Sequence, residues 1–326
     1  MRKSIVLLLA VVPLLSGCFI SLGNIGLFEG EQPLQETTVD GEGRDKVLLV
    51  DISEVITDTP SKRAFGLVEE ESTLARVQSE LKRAKDDDRV KALVLRINSP
   101  GGGATASDQI YSEVVRFKKE RSIPVVSALG DLAASGGYYI ACAGDRIVAH
   151  PTTVTGSIGV ILLNFNLEGL LGKIGVKNET YKAGDHKDLL SPFRGATPDE
   201  RRIIQSVLDT MHARFISVVR ESRPGLDAKR VPELTDGRIF DAPQAVAVGL
   251  VDEIGDLRQA IAVAERAAGI EKARVVMYHR GSESRENIYS AANGLPAQVN
   301  LMPVDLGMLA ERGPRFMYLW APGLGM

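Results

Sequence analysis

The chain has 326 residues, 44% of them hydrophobic and 25% charged, which is enough to bury a sizeable core and excludes a disordered or fibrous protein. A formal net charge of −3 gives no electrostatic reason to expect nucleic acid as a partner. Two cysteines, Cys18 and Cys142, cannot build a disulfide framework, and with four scattered histidines they form no zinc-ligand pattern.

No charged residue occurs between Lys3 and Glu29. Met1-Arg2-Lys3 supplies a positive n-region, Ile5 to Leu15 an apolar run of secretory length, and Leu15-Ser16-Gly17-Cys18 a small-residue cleavage site ending in cysteine. This pattern resembles a bacterial lipobox. It implies removal of residues 1–17 and a lipid-bearing Cys18 that anchors the mature protein to a membrane of the cell envelope. An uncleaved membrane-spanning helix from Ser4 to Phe28 is the competing reading, although Pro13, Gly17, Gly23 and Gly26 weaken it. Both readings leave Arg2 and Lys3 in the cytoplasm and the rest of the chain outside it. Residues 18–45 read as a lipid-anchored tether, solvated from Glu29 to Asp45.

From Lys46 short apolar runs alternate with helical patterns. Val47 to Ile52, Ala92 to Ile97, Pro124 to Leu129 and Arg146 to Ala149 read as buried strands. Ser72 to Lys85 and Ser107 to Glu120 repeat apolar residues at helical spacing, and Thr197-Pro198 with Glu200 opens a capped helix running to about Glu221. Asp227 to Leu234, Ala242 to Val248 and Leu257 to Ala268 complete the helices. The alternation predicts an α/β fold with parallel strands and crossover helices over residues 46–276, followed by an irregular tail over 277–326. Within that tail Phe316, Met317, Tyr318, Leu319 and Trp320 favour packing over disorder.

No nucleotide-binding glycine loop and no HExxH motif is present, so neither a metal nor another cofactor is expected. Ser79-Glu80-Leu81-Lys82 matches an SxxK pattern but is accounted for as the charged face of a helix. Two glycine clusters are more informative, because each follows a predicted strand: Ser99-Pro100-Gly101-Gly102-Gly103 and Gly130 to Gly137. Backbone N–H groups there, with a helix starting after each loop, form a candidate oxyanion hole. Ser135, in Ala133-Ala134-Ser135-Gly136-Gly137, is either the nucleophile or a helix N-cap. None of His150, His186, His212 and His279 has obvious triad partners. Lys187 could serve as base only if burial lowered its pKa from about 10.4, and is otherwise a surface lysine. Ser157 is a second hydroxyl in a glycine-bounded turn, where a local backbone bond would also explain it.

As a set, Asn98 to Gly102, Ala133 to Tyr139, Thr155-Gly156-Ser157 and Gly184 to Asp188 before Ser191-Pro192 resemble the short form of the bacterial signal peptide peptidase family, SppA. The resemblance covers roughly Val47 to Asp256 and implies a Ser/Lys serine endopeptidase on the ClpP/crotonase-like fold. It implies Ser135 as nucleophile, Lys187 as general base, Ser157 as the hydroxyl holding the lysine amine, and Gly136 with Gly102 as oxyanion-hole donors. It further implies peptide substrates such as signal peptide remnants, and a ring-like homo-oligomer with active sites between neighbouring subunits. The lipobox stands where that family usually has a membrane-spanning helix. Two alternatives share the fold: a crotonase-type acyl-CoA enzyme, which an exported location disfavours, and a catalytically inactive scaffold.

Overall fold

The computed structural model describes residues 33–63, 68–281, 285–290, 316–320 and 322; residues 1–17, expected to be a lipoprotein signal peptide, and Cys18 lie outside the described residues. In chain order the elements are β1 (Gln35–Asp40), β2 (Asp45–Ile56), β3 (Ser61–Arg63), β4 (Val68–Glu70), α1 (Thr73–Lys85), β5 (Val90–Gly103), α2 (Ala104–Arg121) and β6 (Val125–Ala134). There follow α3 (Gly136–Ala141), β7 (Arg146–Ala149), β8 (Val154–Gly156), β9 (Ile161–Leu162), α4 (Glu168–Lys173), α5 (Pro198–Ser222), α6 (Val231–Leu234) and β10 (Ile239–Asp241). The last are α7 (Ala242–Ala247), β11 (Glu253–Ile254), α8 (Leu257–Ala268), β12 (Ala273–His279) and β13 (Phe316–Leu319).

The central strands run β12-β2-β5-β6-β7-β11, each parallel to its neighbour, with β1 antiparallel at the edge beside β12. Both faces are covered, so successive residues of β2 are buried in turn, without polar alternation. Leu48, Val50 and Ile52 pack under α1 and α2, whereas Val47 and Leu49 point the other way, onto Ala260, Ile261 and Ala264 of α8. The result is the α/β architecture with parallel strands and crossover helices that the alternation of patterns predicts.

The helix ends follow their local chemistry. Ser72 caps α1 by accepting from the Ala75 N–H, and Thr197 and Glu200 form the reciprocal capping box of α5. Two expectations are corrected. β1 falls inside the segment read as a tether. It is held there by pairing with β12 and by Glu36, whose carboxylate takes a 2.7 Å ion pair from the buried Lys46 of β2. The glycine run after the second predicted strand is not a free loop either, because β5 continues through Gly103, with Val55 and Ile56 of β2 opposite Gly101 and Gly102. A Cβ on Gly102 would stand 2.6 Å from the Ile56 nitrogen, so only glycine lets the two backbones close.

Candidate active site

β6 and β8 run parallel, with Ala134 opposite Gly156, and the Ser135 N–H donates to the Gly156 carbonyl at 2.8 Å. Ser157 follows directly, so the two serines leave the paired ends of adjacent strands, Ala134 and Gly156. Ser157 is fixed from the other side, its N–H donating to the Arg238 carbonyl at 2.7 Å. Both carry positive φ, 52° at Ser135 and 50° at Ser157, a conformation costing about 1–3 kcal/mol for a non-glycine residue. The sheet and α3 enforce it: the Tyr139 N–H bonds the Ser135 carbonyl at 2.8 Å.

Ser135 occupies the N-cap position of α3, yet its side chain makes no capping hydrogen bond. The capping role therefore does not account for a serine at this position. Beside it lie the two expected donors. Gly136 is the first residue of α3, and Gly102 sits in the adjoining end of β5. Ser99 shapes that end: its hydroxyl donates to the Glu54 carbonyl and accepts from the Gly101 N–H at 3.1 Å.

The space over these groups holds the chain's own β13, a feature the sequence marks only as an apolar cluster. β13 lies antiparallel between β5 and β9, with Tyr318 opposite Gly102 and Phe316 opposite Leu162. The Trp320 N–H donates to the Pro100 carbonyl at 2.9 Å. Bonded pairs alternate in an antiparallel ladder, so Tyr318 and Gly102 form the next pair and the Tyr318 carbonyl faces the Gly102 N–H. That oxygen also lies over Gly136, where a Cβ would stand 3.1 Å from it. The Tyr318 carbonyl oxygen thus lies against Gly101 and against Gly136, the residue after Ser135.

Lys187 is not brought to this group. It lies in a succession of turns, exposed, with its N–H on the Gly184 carbonyl at 3.2 Å and no hydrogen bond from its amine to either serine. Its segment is nevertheless ordered by a clamp the sequence did not reveal. Arg194 grips both oxygens of Asp188 at 2.7 Å and reaches a Glu200 oxygen at 2.8 Å, tying the lysine's neighbour to the start of α5. Hydrogen bonds from Arg194 and Lys182 hold the Asp188 carboxyl well below its usual range, and Arg194 with the Thr197 N–H brings Glu200 down to about 2. The same segment exposes Leu170, Ile174 and Tyr181, at 57%, 65% and 91%.

No histidine replaces the lysine. His150 bonds Thr152, His212 the Thr235 carbonyl, His279 Thr37, and His186 faces Asp199 at 3.3 Å. Among the described residues no cluster of three His, Cys, Asp or Glu side chains is placed to hold a metal ion.

The Peptidase family S49 model matches residues 117–271, and the Clp protease model matches residues 62–154. A provisionally named signal peptide peptidase SppA of Enterococcus faecium is 38% identical over 253 residues, spanning 77% of this chain and 72% of that one. The chloroplastic serine protease SPPA of Arabidopsis thaliana is 32% identical over 254 residues, 76% of this chain but 36% of that protein. Among solved structures, a point mutant of ClpP1 from Listeria monocytogenes aligns at 18% identity with a TM-score of 0.42, over 65% of this chain and 94% of that one.

Proposed function

The chain belongs to peptidase family S49 and is a serine-type peptidase, and from that premise we propose that it is a membrane-anchored Ser/Lys endopeptidase of the cell envelope acting on extended apolar peptides such as cleaved signal peptides. The observation that carries the reading is Ser135: a buried, conformationally strained serine whose hydroxyl makes no capping bond, next to the glycine end of β5 where β13 lays a peptide backbone opposite Gly102. The extended, apolar β13 supports the substrate class, since Phe316, Met317, Tyr318 and Leu319 lie as a strand between β5 and β9.

In this reading the neutral Lys187 amine takes the Ser135 proton as Oγ attacks the substrate carbonyl, and the N–H groups of Gly102 and Gly136 hold the oxyanion. The ammonium then gives its proton to the leaving amine, and a water deprotonated by the same amine hydrolyses the ester. Ser157 beside Ser135 holds the amine. The lysine comes from a second copy of the chain, whose exposed apolar residues Leu170 and Ile174 pack on the neighbour as Lys187 enters the site. Burial among small residues lowers its pKa toward neutrality, as a general base requires. Cys18 bears the lipid that keeps the assembly at the membrane.

Mixing tests the arrangement. Ser135→Ala and Lys187→Ala chains are each expected to be inactive on peptide esters, while the co-assembled mixture regains activity through subunit pairs carrying one intact serine and one intact lysine. Full hydrolysis by Ser135→Ala alone would refute the mechanism. Intact mass after a serine-directed fluorophosphonate reports the nucleophile, and in the same spectrum the lipid on Cys18.

A further inference from the structure

Near its end β5 breaks step with both of its neighbours. Toward β2, Ser53 pairs with Asn98 and Val55 with Gly101, so Ser99 and Pro100 together oppose Glu54 alone. Toward β6, Ile97 pairs with Leu129 and Ser99 with Ala133, so Gly130, Asp131 and Leu132 oppose Asn98 alone. Bulges of this kind re-aim a backbone at the cost of regular pairing. Glu54 stands at φ 64° and Gly101 at φ 101°, and Pro100 has no N–H to give. The Ser99 side chain ties this irregular stretch together. It is fully buried, its hydroxyl donates to the Glu54 carbonyl, and it accepts the Gly101 N–H at 3.1 Å. Both ends of that bridge rest on α3: a Cβ on Gly101 would stand 2.7 Å from the Gly136 nitrogen, and one on Gly137 2.8 Å from the Ser99 carbonyl oxygen.

We propose that Ser99 is a positioning residue for the oxyanion hole: its hydroxyl fixes the turn at Gly101, and with it the Gly102 N–H, against the Gly136 N–H at the start of α3. The inference rests on the proposed reading of Ser135, and it adds a residue that the reading does not require. Two donors stabilise an oxyanion only when both stand about 3 Å from one point. Here they belong to separate segments, one at the end of β5 and one at the start of α3. Pairing with β2 resumes at Gly101 only after the bulge, and the Ser99 hydroxyl sets the depth of that bulge by holding Glu54 on one side and Gly101 on the other. Serine suits the task because one hydroxyl gives one hydrogen bond while it takes another. Alanine fills nearly the same space and does neither, and a cysteine thiol does both weakly.

The full-length chain, Ser99→Ala and Ser99→Cys are compared on a peptide ester and against two ligands of one sequence, acetyl-Phe-Leu boronic acid and acetyl-Phe-Leu amide. Ser135 Oγ adds to the boron as its proton passes to the base, which places a boronate oxygen in the oxyanion hole; the amide binds without forming an oxyanion. Ser99→Ala is expected to lose about 10- to 100-fold in kcat with KM within about twofold, a part of the 10²- to 10³-fold that outright loss of a donor costs. Its affinity for the boronic acid falls by the same factor, while its affinity for the amide, read by calorimetry, stays. Ser99→Cys recovers part of both losses, and it carries the same test with smaller changes if Ser99→Ala does not accumulate as folded protein. Unaltered kcat and boronic acid affinity in the folded variants overturn the inference. So does an equal loss of boronic acid and amide binding, which reports a general loosening of the cleft. No ester hydrolysis and no boronate adduct with the unaltered chain overturn the reading of Ser135 itself, and the positioning role with it.

Discussion

Gly136→Ala separates the catalytic geometry from the fold. A Cβ there would stand 2.5 Å from Ser107 Oγ, 3.1 Å from Gly101 Cα and 3.1 Å from the Tyr318 carbonyl oxygen. The first contact cannot persist, so Ser107 must rotate and surrender the 3.0 Å bond its hydroxyl gives to the Gly103 carbonyl, at about 1 kcal/mol. Alanine returns about 1 kcal/mol of helix propensity at the start of α3, so stability changes little. The methyl group also crowds the place of the substrate carbonyl and shifts its N–H donor. Loss of one oxyanion-hole donor is worth about 3–4 kcal/mol in the transition state, so kcat on a peptide ester should drop about 10²- to 10³-fold while the urea midpoint barely moves. Ser107→Ala in the same chain removes the colliding oxygen and should recover about tenfold. A folded Gly136→Ala enzyme with unaltered kcat would refute the placement of the oxyanion. Gly102→Ala is the contrasting case. Its Cβ meets Ile56 backbone atoms at 2.6 and 2.8 Å, which cannot move without breaking the β2–β5 pairing, so that variant should fail to accumulate as folded protein.

Arg194→Ala frees the Lys187 segment from α5 and should lower kcat/KM about tenfold, and Arg194→Lys, without the fork that grips both Asp188 oxygens, should restore only part of it in the same ester assay. Burial raises Glu80 from 4.5 to about 7 despite its Arg76 partner. The folded chain therefore takes up a proton that the unfolded chain has lost, and stability falls as pH rises from about 4.5 to about 7, by at most about 3 kcal/mol. Urea unfolding at pH 5 and pH 8 should show this loss in the wild type and a smaller one in Glu80→Gln. Burial also pushes the Cys142 thiol up to about 11, so in a Cys18→Ser chain iodoacetamide at pH 8 should label nothing until urea is added, as intact mass will show.

Local chemistry made much of this protein readable in advance. Apolar runs such as Val47 to Ile52 are buried on both faces because helices cover the sheet on both sides, and the cap at Thr197 formed where Thr, Pro and Glu stood in sequence. The two glycine clusters and Ser135 could be singled out because small residues at the ends of parallel strands leave backbone N–H groups open to a ligand, whereas the roles of Ser157, Gly102 and Gly136 followed only from the resemblance to a known family. The choice between nucleophile and N-cap at Ser135 was beyond the sequence, since both uses favour the same residue at the same place. In the structure the Ser135 side chain makes no capping bond, which removes that account of it and leaves the nucleophile as the proposed one.

Other features depend on partners distant in the chain. β1 looked like tether because its residues are polar, and it becomes a strand only through β12, more than 200 residues later. The clamp of Arg194 on Asp188 and Glu200 carries no motif, because it joins a turn to a helix start through side chains alone. β13 reads as a short apolar cluster with nothing to pair with, until β5 and β9 present two open edges on either side of it. By itself the sequence determined the alternating layers, the glycines that allow close backbone approach and the serines placed among them, all consequences of residue type and short spacing. The tertiary structure alone decided which edges meet, what fills the cleft over Ser135 and that Lys187 stands apart from it within one chain, because those depend on contacts between residues that no local pattern connects.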